Sequence, residues 1–290
     1  MKRLATWLSL VRFSHSIFAL PFALQGAWLA ADGVPPVRTL CLVIACAVCA
    51  RTAAMGFNRL VDAKIDSANP RTRSREIPAG KLAPFAVGVL VLCASLLFVI
   101  GAFALNRLSG MLALPVLGLL LAYSYFKRFH WSAHLVLGLS LALAPLGAWI
   151  AVRGEFDRPL APVLWLATAV LTWVAGFDLI YACQDCEFDR KSGLHSVPAR
   201  FGVANALRFA RVLHVATVMA LSMVALSVPT SWVYGLSIVL AAALLAWEHG
   251  LVAPDDLSRV NQAFFTINGW VGVGLFAGLV LDCAWRGGRT

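Results

Sequence analysis

The chain has 290 residues, of which 60% are apolar and only 13% are charged, and its mean hydropathy is +0.80. Soluble globular domains contain about 45–50% apolar and about 25% charged residues. This composition therefore excludes an ordinary water-soluble fold, a disordered chain and a secreted disulfide scaffold. A bilayer core about 30 Å thick needs ~20 apolar residues per helix, so the length accommodates one polytopic membrane domain, residues 1–290, but not two.

The charge balance is strongly basic, with 24 Lys and Arg against 14 Asp and Glu and a net charge of +10. The basic residues lie between apolar runs, so we assign them to membrane topology and lipid phosphates and predict no nucleic-acid partner. Most of the seven cysteines lie in apolar runs, where cysteine behaves as a small hydrophobe. Their odd number and spacing indicate neither a closed disulfide set nor a zinc site.

Apolar runs recur along the chain and predict an all-α fold of nine transmembrane helices. The runs cover residues 16–31, 39–57, 83–105, 109–126, 132–152, 159–182, 206–229, 231–249 and 262–285. Long continuous runs favour helices, because backbone groups without a partner are too costly in lipid. The basic N-terminus before the first run resembles a signal peptide, but many further spans follow, so we expect the first helix to be retained.

The basic residues also predict how these helices are oriented. With nine spans, 17 Lys and Arg share the side of the N-terminus, and six lie on the other side. Arg51 lies within the second run and belongs to neither set. Because positive residues concentrate in cytoplasmic segments, we expect a multi-pass protein of the cytoplasmic (inner) membrane with its N-terminus in the cytoplasm.

Half of the 14 carboxylates lie in two short segments on that predicted cytoplasmic side. In the first, residues 56–81, Asn58, Asp62 and Asp66 recur every four residues and share one face of a continuous helix. Stacked carboxylates repel one another unless cations neutralise them. Carboxylate and amide oxygens next to substrate phosphates suit Mg²⁺, so this row predicts metal ligands.

The second segment, residues 177–202, repeats the pattern after the sixth apolar run. Asp185 and Asp189 are one helical turn apart, and Asp178 lies two turns before Asp185. Two acid clusters that face each other can hold two Mg²⁺ ions around a diphosphate. We therefore assign Asp185 and Asp189 to the metal as well, and Asp178 and Tyr181 to the metal environment or to an acceptor.

Basic and polar side chains at the same membrane boundary complete the predicted site. Guanidinium forks suit phosphate, and Tyr123 and Lys127 are one turn apart at the end of the fourth run. The residues assigned to diphosphate binding are Arg71, Arg75, Tyr123, Lys127, Arg190 and Lys191. His15, before the first run, is a further candidate near the acceptor or the metal.

Together these motifs are similar to those of a known family, the UbiA superfamily of intramembrane aromatic prenyltransferases. The resemblance rests on Asn58-x₃-Asp62-x₃-Asp66 followed by NPRT, on Asp178-x₆-Asp185-x₃-Asp189, on Tyr123-x₃-Lys127 and on HSIFALPFAL at 15–24. The last element is similar to the first helix of the 4-hydroxybenzoate polyprenyltransferase branch. Glu76-Ile77-Pro78 departs from the common pattern and, with CQDCEFD at 183–189, resembles bacterial members assigned to ubiquinone or futalosine-route menaquinone synthesis.

This resemblance implies nine helices around a central cavity that is capped on the cytoplasmic side and open laterally to lipid. It implies an alkyl-transferring enzyme that uses Mg²⁺ to join a polyprenyl diphosphate to an aromatic acid such as 4-hydroxybenzoate. A dihydroxynaphthoate-type acceptor is the main alternative within the family; haem O synthase and chlorophyll synthase also stay open, although FALPFAL at 18–24 favours a quinone-pathway acceptor. A membrane transporter is the alternative outside it, but transporter acids lie near the bilayer midplane, whereas these cluster at one boundary.

Overall fold

The computed structural model describes residues 2–10, 16–156 and 159–287, so His15 lies outside the described residues. The described parts form helices and no named β-strand. The helices are α1 (Lys2–Leu10), α2 (Ser16–Ala31), α3 (Val37–Val61), α4 (Ala63–Ala68), α5 (Pro84–Leu105), α6 (Arg107–Phe126), α7 (Ala133–Arg153), α8 (Ala161–Ala182), α9 (Cys186–Lys191), α10 (Val197–Phe201), α11 (Val203–Ser227), α12 (Trp232–Gly250) and α13 (Asn268–Gly287). A 3₁₀ turn, Cys183–Asp185, precedes α9, and a π-helix, Gln262–Ile267, precedes α13.

Each predicted apolar run coincides with a helix, which confirms the all-α membrane fold. In the described ranges, eight helices are long and apolar enough to cross a bilayer. The first run gives the shorter α2, whose 16 residues span about 24 Å at 1.5 Å per residue, less than the ~30 Å of a bilayer core. The predicted count of nine spanning helices is therefore not confirmed.

The central element is α8, which is buried along most of its length between α7, α11 and α2. Small residues permit the closest approaches. A Cβ on Gly138 of α7 would lie 2.3 Å from the Leu171 carbonyl oxygen of α8. A Cβ on Gly26 of α2 would lie 2.3 Å from the Pro145 carbonyl oxygen of α7. Without a hydrophobic driving force in lipid, such close packing of backbones is what holds membrane helices together.

A buried hydrogen-bond chain ties α8 to the last two helices. Trp173 Nε1 donates to Asn268 Oδ1 at 2.6 Å, and Asn268 Nδ2 donates to Glu248 Oε1 at 2.7 Å. Asn268 Nδ2 also lies 3.3 Å from the Phe264 carbonyl oxygen, within the π-helix. This chain fixes the π-helix against α8.

Both acid segments interrupt their helices, which corrects the expectation of a continuous helix through Asn58, Asp62 and Asp66. Asp62 lies between α3 and α4 with φ −88° and ψ 2°, and Asp185 ends the 3₁₀ turn. The i to i−4 bonds continue through the first break, from Asp62 N to Asn58 O and from Asp66 N to Asp62 O. The helix therefore bends without losing the common face of the three side chains.

Candidate active site

The two acid segments, more than 100 residues apart in sequence, meet directly. Asn69 Nδ2 donates to Asp185 Oδ1 at 3.0 Å, and Arg71 Nε donates to the same oxygen at 2.8 Å. Arg71 Nη2 donates to Asp185 Oδ2, and Arg71 Nη1 donates to Tyr181 Oη at 2.9 Å. The bidentate ion pair between Arg71 and Asp185 thus joins the loop after α4 to the 3₁₀ turn after α8.

The first acid row is buried and paired with basic side chains. Asp62, with 1% of its surface exposed, lies 2.8 Å from Lys127 Nζ and 3.3 Å from Arg128 Nη2. Asp66, with 3% exposed, accepts from Arg75 Nη1 at 2.7 and 2.8 Å. Since unpaired charge is very costly to bury, these cations make the buried row possible.

Asn58 lies beside this row and joins it to α6. Its Nδ2 donates to Asp62 Oδ2 at 3.0 Å and lies 3.4 Å from Ser124 Oγ. Tyr123 and Lys127 come from the end of the same helix, α6. The Lys127 carbonyl oxygen accepts from His195 N at 2.7 Å, which ties this helix end to the segment after α9.

The electrostatics of Arg71 follow from its position. Burial by itself lowers the pKa of Arg71, but the hydrogen bond and negative charge of Asp185 outweigh burial and raise that pKa above its ordinary value. Arg71 therefore stays charged at any physiological pH. Arg75 adds anion-binding capacity, because its buried Nε–H has no acceptor among the described residues.

These side chains line one cavity of about 300 Å³. Eleven of the predicted site residues contribute to its wall: Asn58, Asp62, Asp66, Arg71, Arg75, Tyr123, Lys127, Asp178, Tyr181, Asp185 and Asp189. Within the described residues, no three acidic, imidazole or thiol groups lie close enough together to form a metal site without further ligands. The oxygen donors instead occupy two facing walls, and the basic side chains lie between them.

The structure does not bring Arg190 and Lys191 to this cavity. Arg190 Nε lies 3.4 Å from the Ala199 carbonyl oxygen. The Lys191 side chain is 81% exposed and lies 3.9 Å from Glu187. Each residue turns the helix by about 100°, so when Asp189 faces the cavity the next two side chains face away from it.

A second, apolar cavity of about 380 Å³ adjoins the first. Both cavities share five wall residues: Arg51, Met55, Tyr123, Leu137 and Leu141. Small and aliphatic side chains of α2, α3, α5, α6 and α7 form most of the second wall. The polar cavity thus continues into an apolar chamber, and Arg51 and Tyr123 lie where the two meet.

Three side chains of this region were not predicted as site residues. His134 on α7 lines the polar cavity and contacts Asp178, Arg128 contacts Asp62, and Arg51 lines both cavities. A titratable side chain within a membrane span is a functional candidate by default. That rule alone would have selected Arg51, which occupies the second apolar run, and His134, which begins the fifth.

Comparison with known proteins identifies the fold and family. The model of the UbiA prenyltransferase family matches residues 19–270. The 4-hydroxybenzoate octaprenyltransferase of Nitrosomonas europaea is 32% identical over 98% of this chain and 97% of its own length. That of Tolumonas auensis is 32% identical over 90% and 89%.

Solved structures agree with these sequence matches. A UbiA homologue from Aeropyrum pernix K1 superposes with a TM-score of 0.82 at 33% identity, covering 92% of this chain and 98% of its own. A UbiA homologue from Archaeoglobus fulgidus, bound to DMAPP and Mg²⁺, has the same fold, with a TM-score of 0.73 at 19% identity over 96% and 99%. The chain is a multi-pass membrane protein that belongs to the UbiA prenyltransferase family.

Proposed function

We propose that this protein transfers a polyprenyl group from a polyprenyl diphosphate to an aromatic acid of the 4-hydroxybenzoate type, in quinone biosynthesis and with Mg²⁺. The observation that supports this proposal is the pair of joined cavities. Acidic side chains on two facing walls, with basic residues between them, form a polar cavity that opens into an apolar chamber. Such a cavity matches a substrate with one highly charged end and one long apolar end. The relatives named 4-hydroxybenzoate octaprenyltransferase support this assignment. The whole chain acts as a single domain.

The donor set of the polar cavity fits magnesium. It consists of carboxylate and amide oxygens, the ligands that Mg²⁺ takes together with substrate phosphates. Five side chains would hold the metal: Asn58, Asp62, Asp66, Asp185 and Asp189. When bound, Mg²⁺ neutralises the diphosphate and helps it to depart.

The basic side chains bind the diphosphate by exchanging partners. Arg71, Arg75 and Lys127 are bonded to Asp185, Asp66 and Asp62 in this structure. These cations move from carboxylate to phosphate oxygens as the substrate enters, so each keeps an anionic partner throughout. Arg190 and Lys191 do not line the cavity and are left out of this set.

The apolar chamber receives the first part of the prenyl tail and excludes water from the reacting carbon. The allylic C–O bond breaks with its electron pair on the diphosphate, and the electron-rich ring attacks the carbon. Fixed charges that match the leaving group supply most of the stabilisation in such reactions. Apolar side chains of the wall, such as Leu137 and Leu141, exclude water that would otherwise react with the carbocation-like centre.

Arg51 is suited to the carboxylate of the aromatic acid. It lies at the junction of the two cavities, where a ring must lie to meet the first carbon of the tail. Guanidinium and carboxylate pair through two parallel hydrogen bonds. Both 4-hydroxybenzoate and a dihydroxynaphthoate carry such a group, so the position of Arg51 supports an aromatic acid over an uncharged phenol.

The mouth of the polar cavity opens to the cytoplasm in this proposal, and the protein resides in the cytoplasmic membrane. The concentration of Lys and Arg in the segments around the mouth supports this orientation. Labelling with a membrane-impermeant maleimide tests it, in a background with the exposed Cys41 and Cys93 changed to Ser. In spheroplasts, Glu155→Cys should react and Glu187→Cys should not; the reverse pattern contradicts the orientation.

The function is tested with purified protein in detergent. Prenyl diphosphates from geranyl to octaprenyl are crossed with 4-hydroxybenzoate and naphthoate acceptors, with Mg²⁺ or with EDTA. We expect Mg²⁺-dependent prenylation of at least one aromatic acid. Asp189→Asn should nearly abolish it, while the matched change Glu187→Gln, at an 88% exposed side chain on the same short helix, should not. Product formation in EDTA, or equal effects of both variants, would contradict the assignment.

A further inference from the structure

One carboxylate of the polar cavity is held differently from those already described. Asp178 on α8 lines the cavity, and its Oδ2 lies 2.7 Å from His134 Nδ1 on α7. The His134 side chain is 7% exposed, and that of Asp178 is 23% exposed. The imidazole is thus enclosed by protein, while the carboxylate retains access to the cavity.

The neighbouring backbone fixes the tautomer of His134. The N–H of Val197 donates to His134 Nε2 at 3.4 Å. A backbone N–H is only a donor, so Nε2 must accept and the ring proton must reside on Nδ1. His134 therefore donates this proton to Asp178 Oδ2, and a ring that accepts at Nε2 and donates at Nδ1 fixes the orientation of the Asp178 side chain.

Three other carboxylates of the cavity are paired with cations, and a fourth, the proposed metal ligand Asp189, is hydrogen-bonded to Ser196. Asp62, Asp66 and Asp185 are bonded to Lys127, Arg75 and Arg71 respectively. A carboxylate in such an ion pair must lose its favourable interaction with the cation when it takes up a proton. Asp178, paired with a neutral ring, keeps its hydrogen bond after it is protonated.

The Asp178–His134 pair also lies where the diphosphate end of the donor must meet the aromatic acceptor. Leu137 and Leu141 follow His134 at three and seven residues on α7 and line both cavities. On α8, Val174 and Phe177 adjoin Asp178 and line the polar cavity. Asp178 is therefore placed between the diphosphate side chains and the start of the apolar chamber, next to the expected position of the acceptor ring.

From this geometry we propose that Asp178 is the base that removes the ring proton, with His134 as its positioning residue. This proposal rests on the proposed function. After the prenyl C1–O bond has broken and the ring carbon has bonded to C1, that carbon carries both the prenyl group and hydrogen. Asp178 Oδ1 takes the proton, the C–H electron pair restores the aromatic ring, and diphosphate leaves with the electrons of the broken C–O bond.

Asp178→Asn tests the base directly. The amide keeps the shape of the side chain but cannot accept the proton as a carboxylate does. General bases contribute about 10²–10⁴-fold, so we expect kcat for prenylation to fall by about 100-fold or more, with the KM for the prenyl diphosphate nearly unchanged. Asp178→Glu should restore part of the rate.

A deuterated acceptor separates this role from a structural one. With deuterium at the ring position that is prenylated, the wild-type rate should change little, because proton removal by Asp178 is fast. In Asp178→Asn proton removal becomes slow, so a primary isotope effect should appear. His134→Leu should show the same effect, and His134→Asn, which can still donate to Asp178, should show less of it. The exposed His130→Asn is the matched control.

The possible outcomes distinguish this proposal from the one on which it rests. Wild-type rates in Asp178→Asn, a loss confined to donor KM, or the absence of an isotope effect in a slow variant would each overturn the role of Asp178. A wild-type protein that prenylates no aromatic acid would overturn the proposed function, and the base with it.

Discussion

Replacement of Arg71 by alanine tests the diphosphate site most directly. In this structure the Arg71 side chain donates two hydrogen bonds to Asp185 and one to Tyr181. We expect its guanidinium to move to phosphate oxygens when the donor binds, because a diphosphate carries more charge than one carboxylate. The variant then loses charge-assisted bonds in the complex, while in the free protein Asp185 loses its cationic partner and keeps the hydrogen bond from Asn69.

The magnitude follows from the exposure of the side chain. A hydrogen bond to a charged group contributes about 1.5–3 kcal/mol. Because 29% of the Arg71 side chain is exposed, solvent screening places the loss near the lower end, ~1.5–2 kcal/mol. Each 1.4 kcal/mol is tenfold in affinity, so the Kd for the prenyl diphosphate should rise roughly 10- to 30-fold.

The assay is equilibrium binding of a labelled prenyl diphosphate to purified protein in the presence of Mg²⁺, since KM equals Kd only when chemistry is slow. Arg73→Ala is the matched control: Arg73 belongs to the same loop but is exposed and absent from the cavity wall. Unchanged affinity in Arg71→Ala, or an equal loss in Arg73→Ala, would refute the reasoning.

Three further variants test the site and the fold around it. Asp62→Asn should nearly abolish Mg²⁺-dependent prenylation while membrane insertion, judged by fractionation, is retained; wild-type turnover would remove Asp62 from the metal site. Asn268→Ala leaves Trp173 Nε1 and Glu248 Oε1 without this partner, so it should destabilise the protein by about 1–3 kcal/mol per group and lower Tm; an unchanged Tm contradicts this. Gly138→Ala sets a Cβ against the backbone of α8 and should cost about 1–3 kcal/mol, whereas Gly147→Ala, with open space at the added Cβ, should leave Tm nearly unchanged.

The helices were predictable because their cause is local. A run of apolar residues in lipid has few alternatives to a helix, and each predicted run coincides with one. The face shared by Asn58, Asp62 and Asp66 was also predictable, because helical periodicity survives the bend at Asp62. Whether a helix such as α2 is long enough to span the bilayer depends on the residues at which it begins and ends. The apolar character of a sequence predicts those terminal residues poorly.

The partners within the site were not predictable, because they depend on tertiary packing. Periodicity indicates that Asp178 shares a helix face with Asp185, but it does not indicate that His134, 44 residues earlier, lies opposite. The positions of Arg190 and Lys191 outside the cavity wall were not predictable either. Each residue of α9 turns the helix by about 100°, so proximity in sequence to Asp189 did not place their side chains in the cavity.

The pre-formed ion pairs have a thermodynamic consequence for substrate binding. Each cation that moves from Asp62, Asp66 or Asp185 to the diphosphate removes one positive charge from a buried or half-buried carboxylate, which is costly. Mg²⁺ held by these carboxylates would supply the lost positive charge and so offset that cost. Donor and metal should therefore bind with positive coupling, and linkage requires each to raise the affinity of the other by the same factor. Coupling energies are typically 1–3 kcal/mol, so removal of Mg²⁺ should weaken donor binding by about 5- to 150-fold. If equal donor Kd values were measured with and without Mg²⁺, the carboxylates would not be the groups that exchange their partners.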